Sequence, residues 1–301
     1  MNNRKHYAAA ITAFVVWGFF SIPLRALKDY SAGEILYFRI LLSLVLLAVL
    51  IVSFKRKEIQ ENRVKLQALD SKSKRTIITL CLAGGLLLTV NWLTFIYIVN
   101  NVNVKTASFS YLICPVITAV LGYVLIKEKM TTLQWIAVVL CAFSCVLIGI
   151  SSALELGYSF LTAFTYALYL ITQRKVQGFD RLILLGIQVL FATIVLTFFS
   201  GLLVNEVPTS FRFYAIILSI ATFFTVIPLF LNLFALNKIN SATIGILMYL
   251  NPLINFTIAF IVFKESINSI QLVGYAIIAV ALVVFNYQNF GKLRKAAVAQ
   301  R

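Results

Sequence analysis

Ala107-Ser-Phe-Ser-Tyr-Leu-Ile-Cys-Pro115-Val-Ile117-Thr-Ala-Val-Leu-Gly-Tyr-Val-Leu-Ile-Lys127-Glu128-Lys-Met-Thr-Thr-Leu-Gln134 decides the fold, because the chain repeats its punctuation 137 residues later. Pro115 maps to Pro252, Ile117 to Ile254, Lys127 to Lys264, Glu128 to Glu265 and Gln134 to Gln271. Each copy is an apolar run with a proline in its first half, a closing Lys-Glu pair, a short polar turn and a second apolar run. Both runs are long enough to cross a bilayer, which takes roughly 20 apolar residues. The chain reads as a duplicated membrane unit.

Composition points the same way. Hydrophobic residues make up 61% of the 301 residues and charged residues only 12%, with a mean hydropathy of +0.95. Soluble domains carry about a quarter charged residues, so a soluble fold is excluded. The four cysteines, Cys81, Cys114, Cys141 and Cys145, all lie inside apolar runs, where neither disulfides nor metal binding is the default.

Runs of spanning length occur about ten times, at 7–24, 35–54, 76–99, 106–126, 133–150, 153–173, 182–204, 213–236, 242–263 and 270–287. The net charge of +16 is distributed unevenly between the loops. With the N-terminus inside, 20 Lys and Arg fall on the cytoplasmic side, eight of them between Lys55 and Arg75, against five on the other: Arg25, Lys28, Lys105, Arg212 and Lys264. That asymmetry places both termini in the cytoplasm and accounts for the basic character without nucleic acid. The loop after Lys55 can also touch anionic headgroups of membrane lipid.

Ten spans in two copies give five per copy, and an odd number inverts the second copy relative to the first. The predicted fold is therefore all-α and integral to the membrane, ten transmembrane helices in two inverted five-helix repeats. The first repeat covers 1–151 and the second 152–290, with a basic cytoplasmic tail at 291–301. Inverted repeats recur in transporters, where two near-equivalent halves open alternately around a site near the midplane.

Several short segments resemble the EamA domain of the drug/metabolite transporter superfamily, in its RarD-like branch. They are Glu34-Ile-Leu-Tyr-Phe-Arg39, Asn91-Trp92 with Phe95-Ile96, Ala107-Ser108 leading to Tyr111 and Pro115, Tyr166-Ala-Leu-Tyr169 closed by Arg174-Lys175, and Gly245-Ile-Leu-Met-Tyr249. Before span 6 the chain departs from that pattern, reading Ala153-Leu154-Glu155 in place of a Pro-Trp pair. The resemblance implies ten helices, cytoplasmic termini, a cavity lined by spans 1, 3, 4, 6, 8 and 9, and peripheral spans 5 and 10. It also implies an exporter of amino acids, other metabolites or drugs.

Polar groups at membrane depth need a partner or a function. Arg39 sits less than about 10 Å inside the outer end of span 2, and Asn91, Trp92 and Tyr111 reach a similar depth. Arg39 either snorkels or pairs with Glu34 or Glu155, or else holds a substrate carboxylate or phosphate. In the second copy Asn232, Tyr249 and Asn251 fall nearer the inner half, while Trp17, Tyr166 and Tyr169 lie near the midplane. These ten residues are the candidate substrate contacts, with helix packing as the alternative for each asparagine and ring. Pro115, Pro228 and Pro252 interrupt backbone bonding mid-span, as fixed kinks or as gating points. Glu128 and Glu265 are expected to cap the helices that follow them.

The absences bear on function too. The acidic residues lie in loops or near span ends, and the single histidine is His6 in the tail. Carboxylate dyads, metal clusters, Ser-His-Asp sets and phosphate loops have no material at membrane depth, so no cofactor and no enzymatic activity are expected. The reading is a secondary transporter, a permease of the inner cell membrane exporting a small metabolite or drug, such as an amino acid or an amphipathic compound. The rivals are a non-transporting membrane scaffold or assembly protein and a lipid-active membrane enzyme. Gly274, Ala276 and Ala279 in span 10 would permit a homodimer.

Overall fold

The computed structural model describes residues 4–176, 178–236 and 247–298. Among them the chain forms helices and turns and no strand. Helix α1 (Arg4–Gly18) and the short α2 (Ser21–Arg25) make the first apolar segment, followed by α3 (Ala32–Phe54) and the polar α4 (Arg56–Ala68), which buries nothing. Next come α5 (Ser71–Tyr97), running into a π turn (Ile98–Val102), then α6 (Val104–Ile126), α7 (Thr132–Ser151) and α8 (Ala153–Lys175). Then follow α9 (Arg181–Phe198), α10 (Ser200–Leu203), α11 (Phe211–Ala221), a second π turn (Thr222–Val226) and α12 (Ile227–Leu236). After them stand α13 (Leu250–Ile261) and α14 (Ser269–Val298).

Among the described residues, eight helical segments are long and apolar enough to cross a membrane, and two shorter apolar stretches, Leu250–Ile261 and Ser269–Phe285, stand where the sequence places spans 9 and 10. The start of span 9, with Gly245 and Ile246 of its motif, lies outside the described residues. Pro252 occupies the first turn of α13, where a proline costs no backbone bond, and turn residues 248 and 249 separate that helix from helical Leu247.

The helices begin where short polar side chains take up the free N–H groups of the first turn. Ser31 with Glu34 and Thr131 with Gln134 form reciprocal capping boxes for α3 and α7, and Asp70, Asn103, Ser152 and Asp180 cap α5, α6, α8 and α9. The expectation for Glu128 and Glu265 needs correction. Helix α7 is capped by Thr131 and α14 by Asn268, which accepts from the Gln271 N–H at 2.7 Å. The two glutamates instead reach across to other helices.

Both Lys-Glu turns have the same backbone. Lys127 and Lys264 adopt left-handed φ of 56° and 54°, and the following amides bond back to Gly122 O at 3.1 Å and Ala259 O at 3.0 Å. These are equivalent positions in the two copies, and the left-handed residue is what lets the turn reclaim orphan helix carbonyls. Yet the two turns stand at opposite ends of one helix. Glu128 lies just past the C-terminus of α6, whereas the Glu265 carboxylate accepts from the Val104 and Lys105 N–H groups at its N-terminus, at 2.7 and 2.9 Å. Twenty-three residues separate those ends by roughly 35 Å.

Packing repeats the same relation. Helices α5 and α6 pack against α8, and their counterparts α12 and α13 pack against α1. Helix α3 lies on α9, and α7 lies on α14, tied by Ser144 Oγ donating to Gly274 O at 2.7 Å. A Cβ on Gly274 would stand 2.7 Å from Ile148, so this small residue serves contact within the chain; Ala276 and Ala279 remain exposed. Val139, Phe143, Ile150, Leu272 and Val283 point outward from the α7–α14 pair, a large apolar face suited to lipid.

Gly85 on α5 permits close approach to α9, since a Cβ there would stand 3.0 Å from Gln188 O. Gly85→Leu should destabilise the protein by about 1–3 kcal/mol through overpacking against backbone. Gly157→Leu, with nothing within 4 Å of its Cβ, should be near neutral. Thermal unfolding of the two variants in detergent provides the comparison.

Candidate functional site

Arg39 is 3% exposed. Its guanidinium lies over two aromatic rings, 4.7 Å from the Phe20 centroid and 4.7 Å from the Trp92 centroid, and its Nε donates to Thr225 Oγ1 at 3.1 Å. Nη1 is buried and bonded to nothing. Neither expected carboxylate is present: Glu34 accepts from the Ser31 N–H in its capping box, and Glu155 accepts from Asn103 and Thr106. The side chain does not snorkel either. A desolvated cation–π contact is worth about 2 kcal/mol, while removing a charge from water costs several, so two rings and one hydroxyl leave the charge undercompensated.

Asn91, fully buried, links two helices beside it. Its Nδ2 donates to Thr162 O at 2.8 Å and its Oδ1 accepts the Tyr111 hydroxyl at 3.2 Å. Tyr111 continues an aromatic path, with ring centroids 5.4 Å from Phe95 and 5.6 Å from Tyr166; Tyr166 lies 5.8 Å from Tyr169. Phe95 stacks on Phe20, and Phe20 on Phe224. Arg39, Asn91, Trp92, Tyr111, Tyr166 and Tyr169 thus belong to one continuous polar and aromatic cluster. Pro115 sits one turn below Tyr111 inside α6 and has no N–H to give the Tyr111 carbonyl.

Trp17 and Pro228 meet through the second π turn. A proline at 228 cannot donate to the carbonyl four residues back, and that carbonyl, Phe224 O, accepts the Trp17 indole N–H at 2.9 Å. The tryptophan therefore joins α1 to the α11–α12 segment. The same π turn turns Thr225 toward Arg39. Sequence reasoning missed Phe20, Thr162 and Thr225, and Pro228 is the only signal that pointed toward the last of them.

Asn232 on α12 is half-buried with an unpartnered Oδ1, Asn251 is half-buried at the start of α13, and Tyr249 packs on the core between α6, α7, α8 and α14 that Tyr166 also borders. Asn255, one turn beyond Asn251, is 2% exposed with an unpartnered Oδ1, and it too escaped the sequence reading.

Two of the described ion pairs stand at the two ends of α6. Arg25, closing α2, pairs with Glu265 at 2.9 Å, and Arg174, closing α8, pairs with Glu128. Each joins the end of the first apolar segment of one copy to the Lys-Glu turn of the other. They differ in burial: the Arg25 and Glu265 side chains are 25% and 11% exposed, those of Arg174 and Glu128 46% and 44%. Beside the buried pair, Lys105 donates to Ser266 O and Gln271 Oε1, so the Glu265 end is the more tightly sealed.

Comparison with known proteins identifies the family. The chain matches the EamA-like transporter family over residues 4–150 and again over 154–287. It is 29% identical to a protein named an uncharacterized transporter in Pseudomonas aeruginosa, over 98% of this chain and 97% of that one. It is 27% identical to the uncharacterized transporter YojE of Bacillus subtilis over 95% of each chain, and 26% identical to protein RarD of Escherichia coli K12 over 94% of each. A crystal structure 10% identical in sequence superposes with a TM-score of 0.64, covering 95% of this chain and 99% of the other, which shows a shared fold. The chain belongs to the EamA-like transporter family and is a multi-pass membrane protein.

The Asn91–Tyr111 bond lends itself to a double-mutant cycle. Tyr111→Phe should cost about 1–3 kcal/mol, because it leaves a buried acceptor unpaired. Adding Asn91→Leu should recover much of that loss, since Thr162 O keeps the Thr165 hydroxyl as donor. Thermal unfolding of both single variants and the double variant measures the coupling.

Proposed function

Starting from a two-repeat member of the EamA-like transporter family, we propose that the protein is a secondary transporter exporting a small metabolite or drug across the inner membrane. Ten spans form two inverted five-helix halves, with boundaries near 151 and 290 and both termini in the cytoplasm. The halves rock around the Arg39 cluster, which opens to one side at a time. The observation that carries this reading is the pair of equivalent Arg-Glu contacts at the two ends, Arg25–Glu265 and Arg174–Glu128, with the buried cluster between them.

Alternating access needs two closures that do not have to break together. The duplication supplies one at each end. In this state the Glu265 closure is the stronger, because its carboxylate also holds two backbone N–H groups of α6, while the Glu128 pair is half in solvent. Opening at the Glu128 end is the easier motion, which makes this a state poised toward the cytoplasmic side. The prolines contribute where they leave carbonyls free inside the packing: Pro115 next to Tyr111 and Pro228 next to Phe224. Trp17 of the first copy and Asn232, Tyr249 and Asn251 of the second line the route beside it.

Saturable, gradient-dependent flux of at least one compound from a labelled amino-acid and drug panel, measured in reconstituted vesicles, is the expected outcome. No flux of any compound by correctly folded protein would contradict the transport reading. The two closures make a separate stability prediction. Glu265→Ala should cost about 2–4 kcal/mol, since it strands Arg25 and two buried amides. Glu128→Ala should cost less than about 1 kcal/mol because its pair is exposed. Thermal unfolding in detergent compares them.

A further inference from the structure

Arg39 is an ionised group in a sealed apolar cluster with no counter-ion. The chain has ten acidic residues, and among the described ion pairs none reaches it. Those within the helical core are committed: Glu34 to its capping box, Glu155 to Asn103 and Thr106, Glu265 to Arg25 and the start of α6. Such an arrangement costs folding free energy that a neutral side chain would not.

The geometry also restricts how a ligand approaches. Phe20 and Trp92 each lie 4.7 Å from the guanidinium carbon, which leaves the N–H edge as the polar approach. Along that edge Nε is taken by Thr225, while Nη1 is buried and unpartnered. An in-plane fork of donors matches a planar carboxylate, which can receive two parallel N–H bonds. No second Lys or Arg joins Arg39 in its described contacts, so one positive charge is available. A monoanion brings the site to neutrality; a dianion or a cation would leave net charge in a low dielectric. Around it the surfaces are rings: Phe20, Trp92, Phe95, Tyr111 and Phe224.

We propose that Arg39 receives the carboxylate of a monoanionic cargo whose body is aromatic or apolar. This rests on the transport reading and narrows it to a substrate class. Phosphate monoesters share the anionic chemistry but carry more charge than one guanidinium matches. Because the charge is retained at a cost to folding, function and stability oppose each other at this position.

The test uses the full chain in detergent and in vesicles with four probes: indole-3-acetate, its neutral amide indole-3-acetamide, the amine tryptamine, and phenyl phosphate. Indole-3-acetate should raise the unfolding temperature and show saturable counterflow, phenyl phosphate should do so more weakly, and the amide and amine should do neither. Arg39→Met should raise the unfolding temperature of the empty protein while weakening indole-3-acetate binding at least about tenfold. Arg39→Lys should fold normally and bind with intermediate affinity, because it keeps the charge without the planar fork. Binding of the amide or amine as tight as that of the carboxylate would overturn the assignment, as would an Arg39→Met variant that is less stable yet binds indole-3-acetate like wild type. Wild type that ignores all four probes also overturns it. Flux of any other panel compound in the same vesicles would then leave the transport reading standing.

Discussion

The Glu265 carboxylate holds the structure in its present relation. It closes the duplicated turn of the second copy, yet its oxygens accept the first two amides of α6, the corresponding helix of the first copy, and pair with Arg25 at the end of α2. A negative charge at a helix N-terminus is favourable because the free N–H groups and the helix dipole both point at it. Since Glu128 leaves the other end of the same helix, this one contact sets two equivalent turns a helix length apart. The rest of the packing follows as matched pairs, α5 and α6 on α8, α12 and α13 on α1.

Within that frame the interior carries polar groups whose burial opposes folding. Among the rings of the larger hydrophobic core stand a guanidinium without a carboxylate and a fully buried asparagine bridging two helices. A membrane protein evolved for rigidity alone would place leucines at these positions. The π turn at Thr222–Val226 belongs to the same pattern: it departs from regular helix where Thr225 and Phe224 O must face Arg39 and Trp17. Irregular backbone at membrane depth is tolerated where it is buried in protein, and Thr225 and Val226 of this turn are buried.

How much of this could be read beforehand depended on the range of each interaction. The duplicated punctuation and Arg39 as an outlier are patterns of residue type along the chain, so the sequence displays them. The left-handed turns were hidden because lysine, unlike glycine, does not advertise a positive φ. Glu128 and Glu265 looked like caps for the next helix, but their partners lie 46 and 161 residues away and only packing brings them near. Thr225 was passed over because a hydroxyl in a membrane helix ordinarily satisfies itself on its own backbone. Phe20 was hidden by the break between α1 and α2, which redirects its ring toward Arg39.

Orientation of the two copies across the lipid is the claim on which transport depends, and it is open to direct measurement. Lys129→Cys and Ser266→Cys, equivalent positions just after the two duplicated glutamates, can be introduced singly in a variant lacking the four native cysteines and labelled with a membrane-impermeant maleimide in intact cells and in inverted vesicles. The account predicts labelling of Ser266→Cys only from outside and of Lys129→Cys only in inverted vesicles. Labelling of both from the same face would contradict it, since two halves of the same sense cannot share a site between opposing closures.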